Sequence, residues 1–478
     1  MTAVIFMEFP VSCFPTVPAL TALIAATGLA ACNAASLPAE RLDIRVDGGI
    51  RSEAVGVWVS QESGWILDIT PDGLTRWQDT PAGCYRSAQD GPTLMSRIEY
   101  RYITPQGHDR ARFEYLPSDG HADFERIAAL PERCDRFDLS SPQAEFDVFT
   151  GIFSQHYAFF ERRGVDWEGQ VEALRPAIHD EMSDTELFEA LSSLIAPMGD
   201  SHTKLIGTVD GEARRFQTGL GETLPMIRNG MGETPWLIGL IDQLMTGILD
   251  PGAVHTANDR IIRGTIDGRV GYLQIFTMGG FVNTEAPGTP EWAEAELAEL
   301  ENQLDAALTE FAGLDAVILD LSNNRGGYDA VTRAIAARFT DTPYTGYTVR
   351  TDWDGPVQAV YEIAPHDGPR FSGPVYVLTS DVTVSGGEIT TMMLRQLPHV
   401  VQAGSTTRGA FSTPLAKPLP NGWYLELSNE IFADASGRVH EGTGLVPDMP
   451  LAVYAPHDPV ASHAAAIRAI VERIESEA

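Results

Sequence analysis

A multi-domain α/β protein is predicted from three changes of pattern along the 478 residues. Residues 55–133 alternate or cluster β-forming side chains between Gly-containing turns. From 141 to 197 apolar residues recur at three- to four-residue spacing, and from Val270 onward strand and helix patterns alternate. A small antiparallel β domain, a helical segment and an α/β core with a mixed sheet should follow one another. A chain of this length exceeds what one core usually organises, so two or three domains are expected.

The apolar run from Val17 to Ala31 ends in Leu29-Ala30-Ala31-Cys32, which resembles the bacterial lipoprotein processing box. That resemblance implies a signal peptide over 1–31, cleavage before Cys32 and a lipid on its thiol. The mature protein would then be exported and tethered to the periplasmic face of a bacterial membrane, the outer membrane in this reading. An ordinary secretory signal with a chance cysteine is the alternative. No Lys or Arg precedes the apolar run, a departure from the usual export signal. No later run reaches the ~18 apolar residues that a span requires. Residues 32–50 read as a linker.

The β domain is assigned to 51–138, on Val57-Trp58-Val59, Trp65-Ile66-Leu67-Asp68-Ile69 and Tyr100-Arg101-Tyr102-Ile103, with turns at Asp72-Gly73, Gln106-Gly107 and Asp119-Gly120. Cys84 and Cys134 both fall inside it. In an oxidising compartment they form either one disulfide or two free thiols, and their spacing is not that of a zinc site. The helical domain, 139–205, carries the stripe Phe146, Phe149, Phe153, Tyr157 and Phe160, read as core. A second helix follows the capping box Ser183-Asp184-Thr185-Glu186. The connecting segment, 206–268, is Gly-rich and shows no clear PDZ domain. The core, 269–455, has strands at Val270–Phe276, Ala316–Leu321, Val375–Thr379 and Val400–Val401, and one amphipathic helix closes the chain within 456–478.

Charge narrows the function. Thirty-three basic against 66 acidic residues give −33, which excludes phosphate-backbone binding as a role and favours solubility. No HExxH or paired-carboxylate cluster occurs, so no metal or cofactor is expected. Two strand-to-helix junctions carry small residues that open the backbone. The first is Asp320-Leu321-Ser322-Asn323-Asn324-Arg325-Gly326-Gly327, whose glycines permit a turn with convergent N–H groups. The second, Thr379 to Glu388, sets Ser385-Gly386-Gly387 at a helix start, where the dipole favours developing negative charge. Either alone is ordinary helix capping.

Together with Asp200-Ser201-His202, Gly409, and Glu441-Gly442 with Gly444 and Pro447-Asp448, these junctions make the chain from about Phe146 to Tyr454 resemble the S41 peptidases. These are the tail-specific or C-terminal processing proteases, and the likeness is to the branch with tricorn and the retinoid-binding-protein-like domains. The resemblance implies a ClpP/crotonase-like core and a serine endopeptidase acting on peptides or unfolded proteins, with Ser385 as nucleophile. The bacterial branch places a lysine base at the position of Ala410, 25 residues beyond Ser385, so that dyad is unavailable here. The tricorn-like branch uses histidine, which makes His202 the base and Glu441 and Ser201 its orienting groups. The oxyanion donors would be the N–H groups of Gly386 and Gly326, with Gly327 the fallback. Arg408 and Arg325 are candidates for holding a substrate carboxylate, or are solvated surface residues. The reading admits a homo-oligomer. The alternative is a catalytically inactive module of the same fold that binds hydrophobic ligands or peptides.

Overall fold

Ala316-Val317-Ile318-Leu319-Asp320 is a near-continuous apolar run, as expected of a strand covered on both faces, and all five residues are buried. In the computed structural model it lies at the centre of a seven-stranded mixed sheet. The order is Val254–Thr256, Ile261–Ile266, Val270–Ile275, Ala316–Asp320, Val375–Thr379, Val400–Gly404, Met449–Pro450. The first two pairings are antiparallel and the remaining four parallel. The structure describes residues 40–46, 48–60, 62–87, 100–116, 120–134, 139, 141–283 and 287–477. The signal peptide, Cys13, Cys32, most of the linker before Glu40 and Asp119 of one turn lie outside them.

Because the central strands run parallel, their carboxyl ends share one edge, and ligands of open α/β sheets bind at that edge. Asp320 and Thr379 end two adjacent strands there, so the loops after them, 321–328 and 380–385, lie side by side. The helices Pro290–Glu310, Asp329–Ala336 and Gly386–Leu394 cover one face through Leu300, Leu304, Val331, Ile335, Ile389 and Met393. The other face is covered by Glu233–Gln243 and the last helix, Pro459–Glu477.

The connecting segment does not stand apart. Its hairpin Lys204–Val209 and Glu212–Gln217 joins a four-stranded sheet, where Lys204–Val209 pairs with Tyr424–Ser428. Its strand Ile261–Ile266 is part of the central sheet. Between them lie the helices Thr223–Asn229 and Glu233–Gln243.

The N-terminal residues form an eight-stranded antiparallel sheet around Trp58, Trp65, Phe113 and Phe124. Its register follows the alternation in the sequence, with Trp58 facing Leu67 across the first hairpin. Cys84 and Cys134 are joined by a disulfide. The aromatic stripe is core: Phe146, Phe149 and Phe153 are fully buried on the helix Pro142–His156, while Tyr157 and Phe160 follow its end and pack on each other, and Phe160 stacks on Trp167. The capping box at Ser183 and Glu186 forms as expected and starts the helix Asp184–Ile195.

Candidate active site

Ser385 occupies the left-handed region at φ 58°, directly before the helix Gly386–Leu394. A serine at positive φ is uncommon, and such strain persists where the surroundings over-determine it. Here they do. The Ser385 N–H donates to the carbonyl of Ala410 at 3.0 Å and to Glu388 Oε2 at 3.3 Å. Val384 donates to the Asn324 carbonyl. A Cβ added to Gly326 would stand 2.6 Å from the Ser385 Cβ, so only glycine admits this approach of the two loops.

The two glycines of the first loop have different duties. The Gly326 N–H donates to Asn324 Oδ1 at 2.9 Å, so the donor expected first is engaged within its own loop. The Gly327 N–H makes no hydrogen bond among the described residues. In its parallel bridge with Met278 the bonds are made by its neighbours, Gly326 O and Tyr328 N. It lies beside Gly386, whose added Cβ would be 3.4 Å from the Gly327 nitrogen, and the Gly386 N–H, first of the helix, is also undonated. The fallback pair, Gly386 and Gly327, is therefore the one with free donors next to Ser385.

Glu388, one helical turn on, is fully buried and accepts from Thr407 Oγ1 and the N–H groups of Gly409 and Ala410 at 2.6–2.8 Å. It fastens the helix start to the turn that follows. Burial pushes its carboxyl up against these donors.

The strand after His202 pairs with Tyr424–Ser428, with Lys204 opposite Glu426. Its loop is shaped by Asp200, which accepts the His202 N–H at 2.9 Å, Thr203 Oγ1 at 3.0 Å and the Tyr157 hydroxyl at 3.2 Å. The imidazole Nδ1 and the Ser201 Oγ are buried without partners, and no hydrogen bond joins the ring to Ser385 or Glu441. Burial holds the imidazole down at about 4; the Lys204 charge adds to this and Asp200 opposes it.

The structure gives Glu441 a partner other than the histidine. Its Oε1 accepts from Arg163 Nη2 at 2.8 Å and its Oε2 from the N–H groups of Phe411 and Ser412 at 2.7 and 3.1 Å. Both oxygens are thus engaged, and the carboxylate that shapes the His202 loop is Asp200. Burial and the Asp200 charge push Glu441 up to about 8, with Arg163 opposing.

Arg163 is the residue that sequence reasoning missed. It donates to the carbonyls of Met198, Gly199 and Gly409 and to Glu441, and lies 3.7 Å from Asp200. One largely buried guanidinium thus ties the His202 loop to the turn that binds Ser385. Arg162 beside it binds the carbonyls of Val439 and Glu441. Nothing distinguishes Arg162-Arg163 from surface arginine in a sequence except its place after the Tyr157–Phe160 motif. Arg325 is paired with Glu233 and Asn323, while Arg408 donates to the Asp381 carbonyl and keeps Nη2 buried and unpartnered.

Adjacent strand ends of a mixed α/β fold thus carry a strained serine and two glycine N–H groups without acceptors among the described residues, an arrangement that suits acyl-transfer chemistry. Residues 269–451 match the model of peptidase family S41. Among solved structures, a candidate peptidase from Parabacteroides merdae ATCC 43184 shares the fold at 22% identity and TM-score 0.57, over 70% of this chain and 97% of that one. Mature CPAF complexed with lactacystin aligns at 12% identity and TM-score 0.49, over 71% and 99% of the two chains. A lipoprotein from Streptococcus agalactiae aligns at 16% and 0.43, over 74% and 100%. No curated protein matches the chain.

Proposed function

We propose that the protein is a serine endopeptidase with Ser385 as nucleophile and His202 as general base. The observation that carries the reading is Ser385 held at φ 58° beside two undonated N–H groups, Gly386 and Gly327, within the S41 segment. Ser385 Oγ attacks the scissile carbonyl carbon while its proton passes to His202, and the oxyanion takes the two glycine N–H groups. His202 returns the proton to the amine as the C–N bond breaks. Water then hydrolyses the acyl-enzyme by the same route. Asp200 and Arg163 hold the base in place, and Glu441 braces the turn at Phe411 and Ser412. The unbonded imidazole is consistent with this, since catalytic hydrogen bonds are often loose before substrate enters. Substrates are peptides or unfolded proteins, and Arg408, with its free Nη2, is the better placed of the two arginines to meet a substrate carboxylate. Export and a lipid on Cys32 complete the reading, with the periplasmic face of the outer membrane as location.

A biotin-linked fluorophosphonate tests the nucleophile. The Oγ–P bond should form on Ser385 with loss of fluoride, and labelling should vanish in Ser385→Ala and in His202→Ala. Equal labelling of the wild type and both variants would exclude the assignment and leave the ligand-binding module as the reading.

The base also sets a pH dependence. Its imidazole stays neutral, and so competent, down to about pH 4, so the acid limb of kcat/KM should fall near 4 and not near the ordinary ~6.5. An acid limb at 6.5 would mean that this imidazole is not the base. The stability consequence has the same sign. The unfolded chain takes up this proton below about 6.5 and the native one only below about 4, so this group destabilises the fold progressively as pH falls through that window.

A further inference from the structure

His463 lies on the last helix, in sequence far from every residue of the site, and its ring is fully buried. Its Nε2 is 2.7 Å from Asp320 Oδ2, which also accepts the Tyr272 hydroxyl at 2.7 Å, while Asp320 Oδ1 accepts the Ser322 N–H at 2.8 Å. Tyr454 stacks on the His463 ring, 5.6 Å between centroids at 20°, and its hydroxyl meets Ser322 Oγ at 2.8 Å. The C-terminal segment therefore grips the first residues of the loop that ends in Gly327.

From that grip the bonding runs on to the nucleophile. The carbonyl of Ser322 accepts Ser380 Oγ at 2.6 Å and that of Leu321 accepts Thr383 Oγ1 at 2.8 Å, so the same short stretch holds the loop that leads to Ser385. A buried carboxylate–imidazole pair is a poor source of stability compared with apolar packing, and the pair here leaves His463 Nδ1 without a partner. Its use is in fixing geometry. We propose that His463 is a positioning residue of the peptidase site: through Asp320 it sets the loop 321–327 and so the aim of the Gly327 N–H at the oxyanion. The proposal rests on the reading of Ser385 as nucleophile.

The test uses the full chain and the biotin-linked fluorophosphonate, whose labelling kinetics separate binding from the bond-forming step. In His463→Leu the maximal labelling rate should fall about 10- to 100-fold, the cost of a slightly misdirected donor, while the half-saturating concentration stays within about twofold. His463→Gln, which can still donate to Asp320, should recover most of the rate. A wild-type rate in folded His463→Leu, or His463→Gln as slow as the leucine variant with both melting like the wild type, would overturn the proposal. If His463→Leu does not fold, Tyr454→Phe decides: it removes only the hydroxyl at Ser322, so a several-fold slower rate is expected and an unchanged one rejects the idea. Ser385→Ala is the control. Labelling that persists there strikes the nucleophile and the proposal together, whereas its loss beside an unaffected His463→Leu strikes the proposal alone.

Discussion

Ser385→Ala is expected to lower kcat on any peptide the protein cleaves by about 10⁴- to 10⁶-fold, with KM within a few-fold of wild type. The removed oxygen is the atom that would form the acyl bond, and Ala410, whose carbonyl takes the Ser385 N–H, offers no side chain to replace it. The change should leave the fold intact, because the Ser385 contacts to Ala410 and Glu388 are made by its backbone N–H. Steady-state kinetics beside a thermal melt would check both statements. Turnover above a hundredth of wild type in a folded variant would show that another group performs the attack.

Arg163→Met should be the most damaging substitution outside the reacting groups. It leaves Asp200 and Glu441, fully buried, without the cation between them. Removing one partner from such a pair costs about 3–5 kcal/mol, because the remaining charge stays in a medium that solvates it poorly. The urea midpoint should move accordingly, and activity should fall further than stability explains, since the same guanidinium holds the carbonyls of Gly199 and Gly409. Neutralising the orphan tests the cause: above pH 8, where Glu441 is ionised, Glu441→Gln should be less harmful in the Arg163→Met background than in the wild type. Strict additivity of the two changes would show that the ion pair does not couple these loops.

The mixed sheet was legible because its strands are apolar runs interrupted by helical spacing, and the Ser385 turn because a serine and two glycines at a helix start recur in the S41 pattern. Periodicity also exposed the stripe around Phe149 and the cap at Ser183, both set by local spacing. What stayed hidden depends on distant pairing. Whether Gly326 or Gly327 offers its N–H is decided by the Asn324 side chain, and whether Glu441 meets histidine or arginine by how the loop at 200 docks on the turn at 409. No spacing rule encodes those choices. The connecting segment was hard to read for the same reason. Its two ends are recruited into different sheets by partners far along the chain, Tyr424–Ser428 for one and Val270–Ile275 for the other.

The clamp made by Glu388 has a consequence for the order in which the proposed site can assemble. That carboxylate, and Arg163 beyond it, can find their partners only after the turn at 407–412 and Glu441 have been synthesised and folded back onto segments made much earlier. A ribosome-bound or half-threaded chain holds a serine and a histidine but no frame to align them. If Ser385 and His202 react as proposed, hydrolytic competence requires residues as late as Glu441 to have folded back onto the earlier segments.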